Sequence, residues 1–400
     1  MRNTLFVRAL LALSVTLFAS SQTFAEEETF SQCILRLQGE AREQGLPDNL
    51  VAVLGDVKPL ERTITYDRNQ PEFVQTFAGY YQNRVNSYRI NTGRKLLAKH
   101  REFLDELSRE YGIPGQYLVS FWGMESNFGR HVGKMSILDT LATLSCDTRR
   151  STFFTGELFS ALQLMDRYQF SVSDMEGSWA GAIGQTQFLP SVYLKYGVDG
   201  DNDQRVDLWN SEKDALKSAA YFLQQLGWKP GLRWGREVQL PEAFPYELAG
   251  SQTPRPLQEW KKLGVSQANG SPLPSADIEA ALLVPVGADG PKFLVYDNFD
   301  VIMKWNRSQF YALSVGVLAD RINGAGRLQH PFPDVSALTR DQIMQIQTAL
   351  EASGFDPGKI DGQPGPQTTR AIRDYQKNQG ILADGFADQG VLKSLMPDSE

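Results

Sequence analysis

Residues 112–129 read GIPGQYLVSFWGMESNFG, an apolar run that closes on a carboxylate. The Gly-Ile-Pro at its start suits the beginning of a helix. Four later residues recur at spacings of three, four and three, and therefore lie on one face of the predicted helix: Leu118, Phe121, Glu125 and Phe128. That face should pack against the protein interior, so the sequence predicts a carboxyl group on a buried stripe.

A buried Glu125 has a chemical consequence. An ionised carboxylate without a partner is costly to bury, and the usual response is a raised pKa. A carboxyl group that stays protonated near neutral pH is what a general acid requires, so Glu125 is the candidate proton donor. The alternative is a glutamate at a helix end that turns to solvent or pairs with Arg130.

The N-terminus has the features of a targeting segment. A basic start with Arg2 and Arg8 precedes an apolar run at 9–19, and Thr23-Phe24-Ala25 offers small residues for cleavage. We predict a secretory signal peptide at 1–25, cleaved near Ala25 and too short for a membrane span. The alternative is an uncleaved anchor. The expected location of the mature, soluble chain is the periplasm.

Charge and cysteine content limit the function classes. The 400 residues carry 40 basic and 47 acidic side chains, a formal net charge of −7, which argues against nucleic acid or an anionic membrane surface as partner. The three histidines are too scattered for a zinc site. In an oxidising compartment, Cys33 and Cys146 are expected to form one disulfide, with two buried free thiols as the alternative.

The remaining chain divides into a main domain and a C-terminal tail. Residues 26–330 are mostly helical in pattern, except for a proline- and glycine-rich insertion at about 231–297 with short predicted strands. One amphipathic helix is predicted across 96–107. Prolines mark a linker at 331–337, and residues 338–400 form a small module.

Local signals define that module. Thr339 and Gln342 form a capping box that opens a helix, and Ala371, Ile372 and Tyr375 mark a second one. With so few apolar anchors in about 60 residues, we expect a three-helix unit near the lower size limit for a domain.

A second dense segment, residues 178–191, reads SWAGAIGQTQFLPS. Its small residues would let backbone approach a ligand closely, and Gln187 offers both a donor and an acceptor. The alternative is close packing of the protein through those small residues.

Together these segments resemble the type B family of lytic murein transglycosylases with a C-terminal peptidoglycan-binding module. The stretch from Tyr296-Asp297-Asn298-Phe299 through Tyr311 follows in the family's order, and the resemblance covers nearly everything after the signal peptide. It implies a mainly α, α+β architecture: a lysozyme-like helical catalytic domain with a small β-rich insertion, plus a three-helix peptidoglycan-binding module.

The resemblance also implies the reaction. Glu125 matches a single acid/base that protonates the glycosidic oxygen between N-acetylmuramic acid and N-acetylglucosamine. The carboxylate then takes a proton from the muramoyl C6 hydroxyl, which attacks C1 and forms a 1,6-anhydromuramoyl end. One carboxyl group can suffice because the internal hydroxyl has a high effective concentration, whereas a typical glycosidase needs two carboxyl groups. No cofactor is required.

Further site residues follow from the same resemblance. Substrate contacts are expected from five residues: Ser178, Gln187, Tyr80, Asn306 and Tyr311. Trp305 stands where the family often has tyrosine, so it can stack on a sugar but lacks the hydroxyl. Ordinary core packing is the alternative for Tyr80 and Tyr311.

Residues 199–205, DGDNDQR, resemble the start of an EF-hand-like calcium loop. The expected oxygen ligands are Asp199, Asp201, Asp203, the carbonyl of Arg205 and a late carboxylate from Asp214. The sequence departs from the usual loop at two positions, with Gln204 in place of glycine and Asn210 in place of glutamate. A structural calcium ion and a solvated acidic turn both remain open.

Two rival functions remain. A hydrolytic muramidase would need a second carboxylate, for which Asp174 and Glu176 are candidates. A non-catalytic wall-binding protein would use only the C-terminal module. Peptidoglycan glycan strands are the expected partner in every case.

Overall fold

The computed structural model describes residues 28–68, 75–250 and 253–397. The predicted signal peptide at 1–25 lies outside these residues. Within the described ranges, no helix combines the length and apolar character needed to cross a membrane.

Most of the described chain is helical. The main domain contains α1 (Phe30–Glu43), α2 (Asp48–Val53), α3 (Glu61–Arg68), α4 (Phe77–Arg84), α5 (Ser87–Lys99), α6 (Arg101–Tyr111), α7 (Gly115–Ser126), α8 (Ile137–Cys146), α9 (Ser151–Tyr168), α10 (Pro190–Tyr196), α11 (Glu212–Gln225), α12 (Leu257–Lys262), α13 (Asp297–Trp305) and α14 (Gln309–Ile322). The tail contains α15 (Arg340–Ala352), α16 (Pro366–Asn378) and α17 (Gln389–Leu395).

Helix α7 forms the centre of the main core. It begins directly after Pro114 and ends at Ser126, because Asn127 turns left-handed with φ of 52°. Leu118 and Phe121 are fully buried. The helix packs against α5 and α14, and its neighbours share one apolar cluster with it. The apolar side of α7 is therefore buried as predicted, and its packing fixes the position of Glu125 in the last turn of the helix.

A second apolar cluster surrounds α8 and α9 and includes α1. Cys33 on α1 and Cys146 at the end of α8 form a disulfide in the structure, with their Cα atoms 5.9 Å apart. This bond connects the first described helix to the main domain.

One helix prediction is wrong. The single helix expected across 96–107 is two helices, α5 and α6, which meet at His100. His100 has φ of −102° and ψ of 17°, outside helical geometry, and serves as C-cap of one helix and N-cap of the next. The apolar spacing continues across the break, which explains why the pattern alone did not reveal it.

The β-rich insertion folds as a small antiparallel sheet. Strands β3 (Gly235–Gln239), β4 (Arg255–Pro256), β5 (Ser266–Gln267), β6 (Glu279–Leu283) and β7 (Lys292–Val295) have the order β4-β6-β7-β3-β5. A separate two-stranded pair joins β1 (Met135–Ser136) to β2 (Glu176–Gly177). The central pairing sets Leu282 opposite Leu294, and both are buried in the insertion's own core.

The tail forms the expected three-helix module. The capping box of Thr339 and Gln342 opens α15, and Ile346, Leu350 and Ile372 are fully buried in its core. The mainly α fold class with a β-rich insertion and a helical C-terminal module is confirmed.

The segment before the module is not a loose connection. Phe332 packs its ring 5.1 Å from Tyr81 and 5.7 Å from Phe77, both on α4. The module itself contacts the insertion, where Asp384 Oδ2 accepts the backbone N–H of Ala288 at 2.9 Å. The module is therefore docked on the main domain.

Candidate active site

Glu125 is placed at the last turn of α7, partly exposed. One of its oxygens, Oε1, accepts hydrogen bonds from the Tyr311 hydroxyl and from Trp305 Nε1, the latter at 2.8 Å. Among the described residues Arg130 forms no ion pair with Glu125, and its guanidinium lies over the Tyr88 ring, 5.4 Å from the centroid. The carboxyl group therefore meets neutral donors.

Burial raises the pKa of Glu125 to about 7, and it outweighs the two hydrogen bonds and the nearby Arg84 charge, which act in the opposite direction. A carboxyl group with such a pKa is half protonated near neutral pH. It can give a proton and take one back, as acid/base catalysis requires.

Two neighbouring helices supply the donors. Trp305 is the last residue of α13, and its ring packs 4.5 Å from Phe121 on α7. Asn306 is exposed and accepts the Ser308 N–H, and the Ser308 hydroxyl caps Tyr311 N at the start of α14. The short turn between the helices thus aims both donors at Glu125.

Ser178 and Gln187 are partly buried in the loop that follows β2, and both are engaged with backbone. The Ser178 hydroxyl accepts the N–H groups of Ala180 and Ala182, and Gln187 Nε2 donates to Val132 O and Gly184 O. The structure therefore gives both side chains a role in shaping the loop.

The glycines of this loop allow close packing of the protein itself. A Cβ at Gly184, where φ is +68°, would lie 2.3 Å from the Leu208 carbonyl, and one at Gly181 would lie 2.5 Å from the Leu141 side chain. Close packing was the alternative explanation of the small residues, and the structure supports it at these two positions.

Gln185 in the same loop is a residue that sequence reasoning missed. Its side chain is buried, and Oε1 accepts Trp122 Nε1 at 2.9 Å while its backbone carbonyl accepts the Ser126 hydroxyl at 2.6 Å. Both partners belong to α7. This glutamine fixes the loop against the helix that carries Glu125. In the sequence, its place two residues before Gln187 is the feature that could have pointed to it.

Tyr80 is buried on α4 with its ring 6.2 Å from Phe310. Arg84, one turn later, places its guanidinium over the Tyr80 ring, 5.5 Å from the centroid, and its charge reaches both Glu125 and Tyr311. Arg84 was also missed, since no motif marks it. It is the cation whose charge favours the ionised form of Glu125.

The carboxylates suggested for a hydrolytic mechanism have other environments. Asp174 is exposed and caps a short turn by accepting Ser171 N and Oγ, and those bonds lower its pKa. Glu176 lies on β2 with an exposed side chain. Neither carboxylate is a hydrogen-bond partner of Glu125 in the described chain.

Comparison with known proteins identifies the family. The model of the transglycosylase SLT domain matches residues 29–320, and that of a peptidoglycan binding domain matches residues 339–395. The chain belongs to the SLT transglycosylase family. The resemblance inferred from the sequence motifs is confirmed.

Relatives of this SLT family member include the membrane-bound lytic murein transglycosylase B of Escherichia coli. The two sequences are 29% identical over 249 residues, which is 61% of this chain and 66% of that protein, slightly under two thirds of its length.

Two solved structures are informative. SltB3 from Pseudomonas aeruginosa, solved in complex with NAG-anhNAM-pentapeptide, is 39% identical and matches with a TM-score of 0.88 over 92% of this chain and 99% of that chain. Coverage of 92% of the chain extends into the C-terminal module. Slt35 from Escherichia coli, solved in complex with calcium, is 26% identical and matches with a TM-score of 0.63 over 73% and 92% of the two chains.

A second candidate site of this SLT transglycosylase lies between α10 and α11. The carboxylates of Asp199, Asp201 and Asp203 place one oxygen each within 4.8 Å of the others. Gln204, at the position where such loops usually have glycine, adopts the left-handed conformation with φ of 70°. The backbone thus makes the required turn without glycine, and the donor set fits a hard cation.

Asp214 is placed differently from the expected late ligand. It is buried, and its two oxygens accept the N–H groups of Gly200 and Asp207, each at 2.7 Å. It is absent from the three-carboxylate group of the described residues. Asp214 therefore closes the loop through backbone hydrogen bonds.

Proposed function

We propose that this SLT family member is a lytic transglycosylase that cleaves the β-1,4 bond between N-acetylmuramic acid and N-acetylglucosamine in peptidoglycan. The product would carry a 1,6-anhydromuramoyl end. The observation that carries the proposal is the Glu125 carboxyl group, which has a pKa of about 7 and two neutral donors on one oxygen.

Those donors define which oxygen acts. Since Oε1 already accepts Tyr311 and Trp305, the acid proton belongs on Oε2, the oxygen left for substrate. In the first step this proton moves to the glycosidic oxygen, and the bond from C1 to that oxygen breaks. The N-acetylglucosamine leaves with a free hydroxyl, and positive charge develops at C1.

In the second step, the Glu125 carboxylate takes the proton of the muramoyl C6 hydroxyl as its oxygen bonds to C1. The carboxyl group is restored, and no water is consumed. Two hydrogen bonds and the charge of Arg84 stabilise the transient carboxylate. Burial favours the protonated carboxyl group that exists before the first proton transfer and after the second. A group balanced in this way suits both proton transfers.

We assign supporting roles to residues around Glu125. Tyr311 and Trp305 orient the carboxyl group, and Arg84, whose guanidinium lies over the Tyr80 ring, adds a positive charge that acts on it. Ser178 and Gln187 would present backbone and amide groups of their loop to the sugar, and Asn306 would act through the turn that positions Tyr311.

The cellular setting belongs to the same proposal. A periplasmic enzyme of this kind would be exported by the segment at 1–25 and would use its C-terminal module to stay on the wall. Calcium would be a structural ion held by Asp199, Asp201 and Asp203, and the carbonyl of Arg205, at position seven of the loop, would be the backbone ligand. It would supply no chemistry at Glu125.

The decisive test is mass spectrometry of products released from purified sacculi by the mature protein. Muropeptides that end in anhydromuramic acid, lighter by one water than reducing ends, are expected. Reducing ends would replace the proposal with hydrolysis. Sedimentation of the protein on sacculi without any product would favour a binding protein.

The wall-binding role has its own test. Deletion of residues after Phe332 should weaken sedimentation on sacculi more than it slows cleavage of short glycans, because the module raises the local substrate concentration. Unchanged sedimentation of the truncated protein would remove this role.

A further inference from the structure

A cavity of about 340 Å³ opens between the insertion and the C-terminal module. One wall comes from the main domain, with Leu283, Pro285 and Phe310, and the other comes from the module, with Phe386 and two arginines of α16. Much of its surface is apolar. Because both domains line it, the cavity exists only while the module is docked.

The two arginines, Arg370 and Arg373, are three residues apart and so share one face of α16. Arg373 is partly buried, and its contacts are weak: Nη1 lies 3.5 Å from Ala249 O and Nη2 lies 3.3 Å from Asp384 O. Its Nε is buried without a hydrogen-bond partner in the described chain. Burial lowers the pKa of this guanidinium, which means that its charge is poorly solvated.

The Asp384 carboxylate acts on Arg373 through its charge but makes no hydrogen bond to that guanidinium in the described chain. Asp384 Oδ1 accepts Gln376 Nε2 and Phe386 N, and Oδ2 accepts Ala288 N. Its oxygens therefore hold the module's own turn and the docking contact. Asp384, Asp374 and Glu247 act on Arg373 through their charges, but none of these carboxylates is a hydrogen-bond partner of its guanidinium in the described chain, so its N–H groups can still receive an added anion.

A carboxylate lines the opposite wall. Glu247, in the short turn Tyr246–Leu248 of the insertion, is exposed to solvent and lines the cavity. The cavity therefore combines two cations, one anion and an apolar surface between them. Neutral sugars do not require this pattern, whereas a short peptide with a free carboxylate and a free ammonium group does.

We propose that this interdomain cavity binds the peptide stem of peptidoglycan, with Arg370 and Arg373 on a stem carboxylate and Glu247 on the ammonium group of its diamino acid. The inference rests on the proposed function, since it takes the wall as substrate. It adds that the docked module and the main domain select peptide-bearing strands together.

The test uses the full mature chain and a sugar-free probe, the pentapeptide L-Ala-γ-D-Glu-diamino acid-D-Ala-D-Ala, in a calorimetric titration. Binding is expected, and it should weaken at high salt and when the probe carboxylates are amidated. Arg370→Ala should weaken binding about tenfold, in line with the loss of one charge-assisted contact. Glu247→Gln should weaken binding of the same probe less.

Lys377→Ala is the matched control, because Lys377 is an exposed cation of the same helix that does not line the cavity. It should bind the probe as the wild type does. Arg370 is also exposed, and an unchanged melting temperature of its variant would show that folding is intact. Absence of binding, or equal binding by the Arg370 and Lys377 variants, would overturn the inference.

The outcome is separable from that of the proposed reaction. Release of anhydromuropeptides by a wild-type protein that does not bind the pentapeptide would remove only this site. Arg370-dependent binding by a protein that releases no anhydromuropeptide would keep the site and remove the reaction.

Discussion

The site at Glu125 and the loop at Asp214 each place a carboxyl group on a helix, and burial raises the pKa of both. They differ in their donors. Glu125 receives two side chains from α13 and α14 on one oxygen, whereas Asp214 receives backbone N–H groups on both. Burial alone therefore does not make a carboxyl group an acid catalyst. A carboxyl group must also keep one oxygen for the substrate.

The largest effect should come from Glu125→Gln. Glutamine keeps the shape and can still accept the Tyr311 and Trp305 hydrogen bonds, but it cannot transfer a proton. The rate of anhydromuropeptide release should fall at least about 1,000-fold. Sedimentation on sacculi should remain at the wild-type level, which separates chemistry from binding. Turnover at the wild-type rate would exclude Glu125 as the acid/base.

Asp214→Ala should give the opposite result. The variant leaves the N–H groups of Gly200 and Asp207 without their acceptor, and we expect the free energy of unfolding to fall by about 3 kcal/mol. The folded protein should keep its kcat within a few-fold. Denaturant unfolding and product release, measured on the same preparation, provide the test. A large loss of kcat at unchanged stability would make Asp214 functionally equivalent to Glu125.

The pH dependence of stability should also distinguish Glu125. Because its pKa is raised from 4.5 to about 7, the folded protein binds more protons than the unfolded chain between these values. The stability of the wild type should therefore fall relative to Glu125→Gln as pH rises from 4.5 to 7. Allowing for partial exposure, the difference should be about 2 kcal/mol. Parallel stability curves for the two proteins would contradict the raised pKa.

Tyr311→Phe should have a smaller effect on rate. The variant removes a donor that stabilises the carboxylate, so the pKa of Glu125 should rise further. The alkaline limb of the pH–rate profile should therefore shift to higher pH. We expect kcat to fall about tenfold. Tyr246→Phe is the matched control, since Tyr246 is buried in the insertion, away from Glu125. An unshifted alkaline limb would mean that Tyr311 does not act through Glu125.

Local patterns predicted part of this molecule well. Glu125 was found from helical spacing, and Thr339 with Gln342 from a capping box, because both signals lie within one or two turns of chain. Tyr311 and Trp305 could be connected to Glu125 only through the family resemblance, since they lie 186 and 180 residues away.

Arg84 and the docked module could not be predicted. Arg84 comes from a helix whose sequence carries no motif, and its effect depends on how α4 packs beside α14. The contact of Asp384 with Ala288 joins residues 96 apart, and the proline-rich sequence between the domains suggested only a linker. Tertiary packing determines both features, which explains why local sequence patterns did not reveal them.

Calcium should produce the smallest effect, and it tests the acidic loop directly. Three carboxylates and a left-handed Gln204 favour a bound ion, but position twelve is Asn210, and Asp214 lies outside the three-carboxylate group of the described residues. Because the loop has fewer charged ligands than a usual EF-hand loop, its affinity for calcium should be weak, with a dissociation constant of about 0.1–1 mM. Millimolar calcium should then raise the melting temperature by only about 1–2 °C.

The matched variants for this experiment are Asp199→Asn, which removes one carboxylate of the group, and Asp277→Asn, which removes an exposed carboxylate elsewhere. Only the first should abolish the shift in melting temperature, and magnesium at equal ionic strength should not reproduce it. If calcium gave neither heat on titration nor any shift, the loop would be an acidic turn held by its own hydrogen bonds. Asp214 would then stabilise a turn that holds no ion. Its carboxyl group would have a structural role only, whereas that of Glu125 would act in the reaction.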